Sequence, residues 1–219
     1  MRFKAIAIDG PAGAGKSTVA KLLSKKIGFT YIDSGALFRA ITLKVLKLGI
    51  DINDINSIIK HAENSKIDFI NNSIYLDGID VSKDIRDDII NKNVSYIAMI
   101  PEIRKIIVNI QRKIAKNKNV VVDGRDIGTT VFPDAFIKFY LTASVDERAR
   151  RRYNQYSDKT KYSIEDIKNQ IIHRDYIDSN RESSPLKQAD DAILIDTTGK
   201  NIDEVVEEML YNISMKGGI

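Results

Sequence analysis

The 219-residue chain has no cysteine, which excludes disulfides and thiolate metal sites. Histidine is nearly as scarce. His61 and His173 lie far apart in sequence and read as surface or internally satisfied side chains rather than ligands. No apolar run approaches the roughly 20 residues that a membrane-spanning helix needs. The opening MRFKAIAIDG enters a strand-like segment without the apolar stretch and small-residue cleavage site of a signal peptide. These absences lead to the expectation of a cytoplasmic protein with no membrane partner. Repeats and low-complexity linkers are also missing, so one α/β domain with decorations is expected. Charge of one sign is in short supply as well: 34 Lys+Arg face 30 Asp+Glu, a net charge of +4. The arginines fall at strand ends, in loops and along helix faces, with no basic stripe of interleaved aromatics. Small anionic ligands are therefore expected and nucleic acid is not.

What is present alternates strand with helix. Lys4–Ile8 predicts a strand, a glycine-rich turn follows, and a helix runs to about Ile27. Phe29–Ile32 predicts the next strand. Ala36–Leu48 predicts a helix, with Leu37, Ile41, Val45 and Leu48 at three- and four-residue spacing. Three short strand-like runs then intervene, at Ile67–Ile70, Ile74–Leu76 and Ile79–Val81. Asn71-Asn72 and Asp77-Gly78 separate them, dipeptides that favour tight hairpin turns, so an antiparallel meander insert is expected at about residues 64–95. Beyond Pro101 come a helix, the apolar strand Val120–Val122, the strand Phe136–Leu141, and helices over Val145–Tyr156 and Ser163–Asn180. Ala192–Ile195 and Ile202–Leu210 close the pattern as strand and helix. Five continuous apolar strands among helices imply a parallel sheet with helices on both faces.

The sharpest motif is Gly10-Pro11-Ala12-Gly13-Ala14-Gly15-Lys16-Ser17-Thr18. A glycine-rich turn with a surface lysine would share this spacing. Such a turn would not need the strand before it or the amphipathic helix (Val19, Leu22, Leu23, Ile27) after it. The glycines let backbone N–H groups wrap a phosphate at a helix opening. Lys16 is then the catalytic cation reaching the β- and γ-phosphates of ATP, and the Ser17 hydroxyl is placed to ligate Mg²⁺. An Asn-Lys-x-Asp base-reading segment of a GTPase is missing, since Asn117-Lys118-Asn119 lacks the acid. A motor or transporter ATPase needs far more chain. A small kinase remains.

Two strand ends carry candidate acceptor residues. Asp33-Ser34-Gly35-Ala36-Leu37-Phe38-Arg39 follows the second strand, where open α/β sheets place ligands. Its plain alternative makes Ser34 a helix N-cap and Arg39 a solvated residue. Asp123-Gly124-Arg125-Asp126, continuing to Pro133-Asp134, sets two carboxylates and an arginine at the end of a wholly apolar strand. Arg174, Asp178 and Arg181 share one helix face; taken by themselves they are better explained as a salt-bridge ladder on a solvated surface.

With these segments assembled, the chain resembles the bacterial cytidylate kinases. The matching stretches are IDGPAGAGKST, YIDSGALFRA, YLDGIDVSKDIR, VSYIA followed by PEIR, VVDGRDIGTTVFPDA, DERARRR and HRDYIDSNRESSPL. IRDDIINKNVS departs from the family's usual proline ahead of the serine. The resemblance implies a P-loop kinase core at residues 1–63, 96–149 and 163–219, a monophosphate-binding insert at about 64–95, and a helical lid at about 150–162. It implies that Arg39, Arg125 and Arg181 hold the acceptor phosphate, with Arg125 and Arg181 catalytic. Ser95, Arg104 and Asp126 would read the cytosine, Arg174 and Asp178 would contact the ribose, and Ser34 would line the same acceptor. Arg150 and Arg151 would meet ATP. CMP and dCMP are the implied acceptors in pyrimidine metabolism, and a monomer is expected. ATP and CMP would occupy opposite sides of one cleft, closed by lid and insert. The acceptor phosphate is ionised at neutral pH, its second pKa being near about 6, so no general base is expected. Two rivals stand beside this reading: a kinase for another small acceptor, and an RNA-binding P-loop protein using the basic run around Arg150. The adenylate-kinase-like Asp-Gly-Phe-Pro-Arg segment is absent.

Overall fold

The computed structural model describes residues 3–70, 73–156 and 162–218. Five strands form one parallel sheet: β1 (Ala5–Asp9), β2 (Thr30–Asp33), β6 (Val120–Asp123), β7 (Ile137–Thr142) and β8 (Ile193–Asp196). Their order is β2-β6-β1-β7-β8, so β1 lies centrally with β6 and β7 paired parallel on its two sides. The strand interiors are mainly apolar because helices cover the sheet, while β1, β2, β6 and β8 each end in an aspartate. Ile6, Ile8, Val121, Phe139 and Leu141 are fully buried. Helix α1 (Lys16–Ile27) buries Val19 and Leu23, and α8 (Ile202–Met215) buries Val206 and Met209. Helices α6 (Val145–Gln155) and α7 (Ile164–Asn180) share a smaller apolar cluster of Ala149, Ile167 and Ile171.

The chain divides into two compact units. The segment up to Tyr31 together with everything from Lys118 onward forms the first, which holds β1, β6, β7, β8 and the start of β2. Ile32–Asn117 forms the second, with its own core. That core joins Leu37 and Ile41 of α2 (Ser34–Lys47), Ile58 of α3 (Ile55–Glu63), Ile97 of α4 (Asp88–Met99) and Ile107 of α5 (Pro101–Ala115). The expected meander is present as β3 (Ile67–Ile70), β4 (Ser73–Leu76) and β5 (Ile79–Asp80), paired antiparallel. Asp77 (φ 51°) and Gly78 (φ 86°) make its second turn with the positive φ angles such a hairpin requires. The first turn, Asn71-Asn72, lies outside the described residues. Past the meander the segment changes character, and α4 begins at Asp88. Ile90, Val94, Ile97 and Ala98 form its buried stripe.

Candidate active site

Gly10 leaves the end of β1 at φ 141°, and Gly13 and Gly15 also adopt positive φ. A Cβ on Gly10 would sit 1.9 Å from the Leu141 carbonyl oxygen, so this position admits no side chain. Gly10→Ala is expected to lower stability by at least about 2 kcal/mol and to abolish nucleotide binding, read by urea unfolding and calorimetry. Gly15 stands before the first turn of α1 with no side-chain cap and no acidic residue behind it. The leading N–H groups of that helix therefore lack intrahelical partners and face the loop as a positive terminus suited to phosphate.

Two carboxylates and an arginine hold this loop from within the first unit. Asp175 of α7 accepts the Ala12 N–H at 2.9 Å. Arg148 of α6 donates to the Ala12 carbonyl at 2.9 Å and pairs with Asp175. Asp123, at the end of β6, accepts from the Ser17 hydroxyl at 2.7 Å and from the Tyr31 hydroxyl at 2.8 Å. Ser17 and Asp123 thus form an all-oxygen donor pair beside the loop, the chemistry a Mg²⁺ ion favours. Lys16 is buried and donates to the Pro11 carbonyl at 2.7 Å. Burial, followed by the Arg125 charge, pulls its ammonium pKa well below the ordinary lysine value, against the attraction of Asp123 and Asp9. A polyanion bound at the loop would supply the missing counter-charge.

The other polar cluster of this unit lies around the end of β6 and α7. Arg125 Nε donates to Asp178 Oδ2 at 2.9 Å. Arg181 Nη1 lies 3.5 Å from Asp178 Oδ1, and its Nη2 lies 3.7 Å from Asp126 Oδ1. Arg125, Asp178, Arg181 and Asp126 therefore alternate in charge along one chain of contacts. Burial pushes the Asp178 carboxyl up, but Arg125, Arg174 and Arg181 outweigh it and hold its pKa below the usual carboxylate value. Arg181 is the residue that ends α7, and it turns its Nε to the Ser184 carbonyl at 2.8 Å. Asp126 precedes a single wide turn, Ile127–Val131, in which Val131 N and Phe132 N donate to carbonyls five residues back. Such turns are rare and gather at functional sites.

The second unit places the remaining candidates. Asp33, not Ser34, caps α2, accepting the Ala36 N–H at 2.8 Å; Ser34 is buried in the helix's first turn. A carboxylate closes the capping ring there because its second oxygen also accepts from Arg86 at 2.9 Å. Arg39 Nη1 lies 3.9 Å from Asp33. Burial would raise the Asp33 pKa, yet Arg39 and Arg86 hold it below the ordinary value. Ser95 is buried on α4. Arg104 of α5 is buried too, donating to the Ala98 carbonyl at 3.0 Å with its guanidinium over the Phe38 ring.

The two arginines expected at ATP are otherwise engaged. Arg150 is exposed and doubly bonded to Glu147. Arg151 holds Glu147 at 2.8 Å and the Thr197 hydroxyl at 2.8 Å, and Thr197 in turn donates to the Ala14 carbonyl at 3.3 Å. Part of the expected lid, residues 157–161, lies outside the described residues. Sequence reasoning gave no role to Asp9, Arg148, Asp175 or Thr197. The available signal was position: Asp9, Asp33 and Asp123 each end an apolar strand of the sheet, on the edge where ligands gather.

A glycine-rich phosphate loop leaving the central strand of a parallel sheet, with a buried lysine opening the next helix, defines a P-loop kinase. Solved structures agree on the fold. An uncharacterized protein from Eubacterium ventriosum ATCC 27560 superposes with a TM-score of 0.57 at 15% identity, over 98% of this chain and 99% of that one. A gluconokinase from Sinorhizobium meliloti 1021 does so with a TM-score of 0.53 at 15% identity, over 98% and 94%. Closer likeness comes from sequence. The pattern of the family described as cytidylate kinase matches residues 6–215. A cytidylate kinase of Clostridioides difficile (strain 630) is 52% identical over 96% of this chain and 98% of its own length. Another, of Caldanaerobacter subterraneus subsp. tengcongensis, is 56% identical over 93% and 92%. The chain belongs to the cytidylate kinase family.

Proposed function

We propose that this protein transfers the γ-phosphoryl group of ATP to CMP, and to dCMP, yielding the diphosphate. The observation that carries this reading is the pairing of a lysine-bearing phosphate loop with the alternating network of Arg125, Asp178, Arg181 and Asp126 in the same unit. Gly10 through Thr18 bind the triphosphate, and Lys16 stabilises the charge that develops as the phosphoryl group moves. Ser17 and Asp123 would hold Mg²⁺, which when bound neutralises phosphate charge. Arg150 and Arg151 join the triphosphate by exchanging Glu147 for phosphate oxygens.

On the acceptor side, Arg39, Arg125 and Arg181 hold the monophosphate, with Ser34 opening the helix that carries Arg39. Arg174 and Asp178 take the ribose. Asp126 and Ser95 accept from the cytosine amino group while Arg104 donates to N3 and O2. Uracil reverses the polarity at N3 and at position 4, leaving buried groups unpaired at a cost of several kcal/mol. The acceptor phosphate is already ionised at neutral pH, with its second pKa near about 6, so alignment and positive charge suffice without a general base. The chain is proposed to act as a cytoplasmic monomer in pyrimidine nucleotide metabolism. The test is an ADP-release assay with Mg²⁺, ATP and, in turn, CMP, dCMP, UMP and AMP. CMP and dCMP are expected to be preferred, and an absence of CMP-dependent ADP and CDP would refute the reading.

A further inference from the structure

Asp9 ends β1, one residue before the phosphate loop, and has no part in the roles assigned so far. It is buried, with 5% of its surface exposed. Its Oδ1 accepts the Ile127 N–H at 2.8 Å and its Oδ2 the Gly128 N–H at 2.7 Å. These are the leading amides of the wide turn, whose internal bonds begin only with Thr130 N on the Asp126 carbonyl. Leading amides find no partner inside their own turn. Here a residue distant in sequence supplies both. The packing is close: a Cβ on Gly128 would lie 3.0 Å from Lys138 Cδ and 3.3 Å from Asp9 Oδ2. Two converging N–H donors require a carboxylate, because an asparagine offers one acceptor and would aim its NH₂ at the other amide. The peptide unit that Asp9 grips at Ile127 is the one joined to Asp126.

We infer that Asp9 is a positioning residue for base selection: it fixes the turn that carries Asp126, and so ties cytosine recognition to the strand from which the phosphate loop departs. This inference rests on the reading that Asp126 contacts the base. Several charged or titratable groups surround Asp9. Asp126 adjoins the turn and Lys16 opens α1. On β7, Lys138 directs its Nζ to Asp191 at 2.8 Å, and Tyr140 feels the Asp9 charge. Burial is the largest influence on Asp9; with the Asp126 charge it outweighs the two amide bonds and Lys16, and the pKa rises to about 6. Protonation puts an O–H on one of the two accepting oxygens and so loosens the turn, while a carboxyl raised on folding adds stability as pH falls through that value, so the protein stays folded.

The experiment compares kcat/KM for CMP and UMP in the wild type, Asp9→Asn, Asp126→Asn and the double variant, with KM for ATP and circular dichroism alongside. Asp9→Asn is expected to reduce the CMP:UMP preference about tenfold while KM for ATP stays within about twofold. The double variant should discriminate no worse than Asp126→Asn alone. In the wild type the preference should fall from about pH 8 to about pH 5.5, and in Asp9→Asn it should stay flat; both nucleotides carry the same phosphate, so its titration cancels in the ratio. Unaltered preference in Asp9→Asn beside a lowered one in Asp126→Asn overturns the inference while sparing the base-reading role. Unaltered preference in Asp126→Asn removes that role and the inference with it. Should Asp9→Asn fail to fold, the wild-type profile decides, and a flat ratio overturns the inference.

Discussion

Replacing Lys16 by alanine is expected to lower kcat by about 100- to 1000-fold while the unliganded protein melts no earlier than the wild type. The two halves of this expectation have one cause. In the free protein the amine is buried on the Pro11 carbonyl, and burial and the Arg125 charge disfavour its protonated form. Deleting a group held in so unfavourable a setting removes a liability from the fold. With nucleotide present the balance reverses. The triphosphate restores the charge on Lys16, and a preorganised cation in a site shielded from water stabilises the transferring phosphoryl group far more than it would in solvent. Steady-state kinetics and thermal melting check the two halves separately. Near-normal turnover in the variant would remove the loop from the catalytic account.

Asp178→Ala is expected to cost about 3 kcal/mol of stability and to raise KM for the acceptor about tenfold. Asp178 lies between the Arg125 and Arg181 guanidinium groups, and all three are largely withdrawn from water. Removing the shared carboxylate leaves two cations facing each other, which is the situation in which a broken buried ion pair is most costly. The pH dependence has a definite sign. A carboxyl whose pKa is lowered on folding stabilises above its ordinary value of about 3.9 and loses that contribution as pH falls below it. The stability gap between wild type and variant should therefore be constant through neutral pH and shrink on strong acidification. Urea unfolding across a pH series measures it, and a gap that widens in acid would contradict the network.

Much of this architecture was legible because it is written in local patterns. The five sheet strands read as apolar runs, and Asp77-Gly78 announced a hairpin whose positive φ angles few other dipeptides adopt. The phosphate loop was unmistakable because glycine spacing, strand and helix all had to coincide. Helix α4 escaped notice because its stripe of Ile90, Val94 and Ile97 is short and follows directly on the meander, inside the stretch read as insert. Asp33 and Ser34 show a finer limit. Both are good N-cap residues, and the choice fell to Asp33 through its contact with Arg86, 53 positions away. The braces on the phosphate loop were invisible for the same reason. Arg148 and Asp175 sit in strongly charged helices, where a pair of partners 27 positions apart looks like any other solvated pair. Long-range pairing of polar groups leaves no periodicity behind.

The central place of β1 has a consequence for how the polypeptide matures on the ribosome. Ala5 precedes its partner Val120 on β6 by about 115 residues. At about 5–20 residues per second, that strand waits roughly 6–23 s for its neighbour. During the same interval the contiguous stretch Ile32–Asn117 is already complete and can bury its own apolar residues. The nascent AIAID segment thus stays without either sheet neighbour throughout that interval, when chaperone protection has most to offer it.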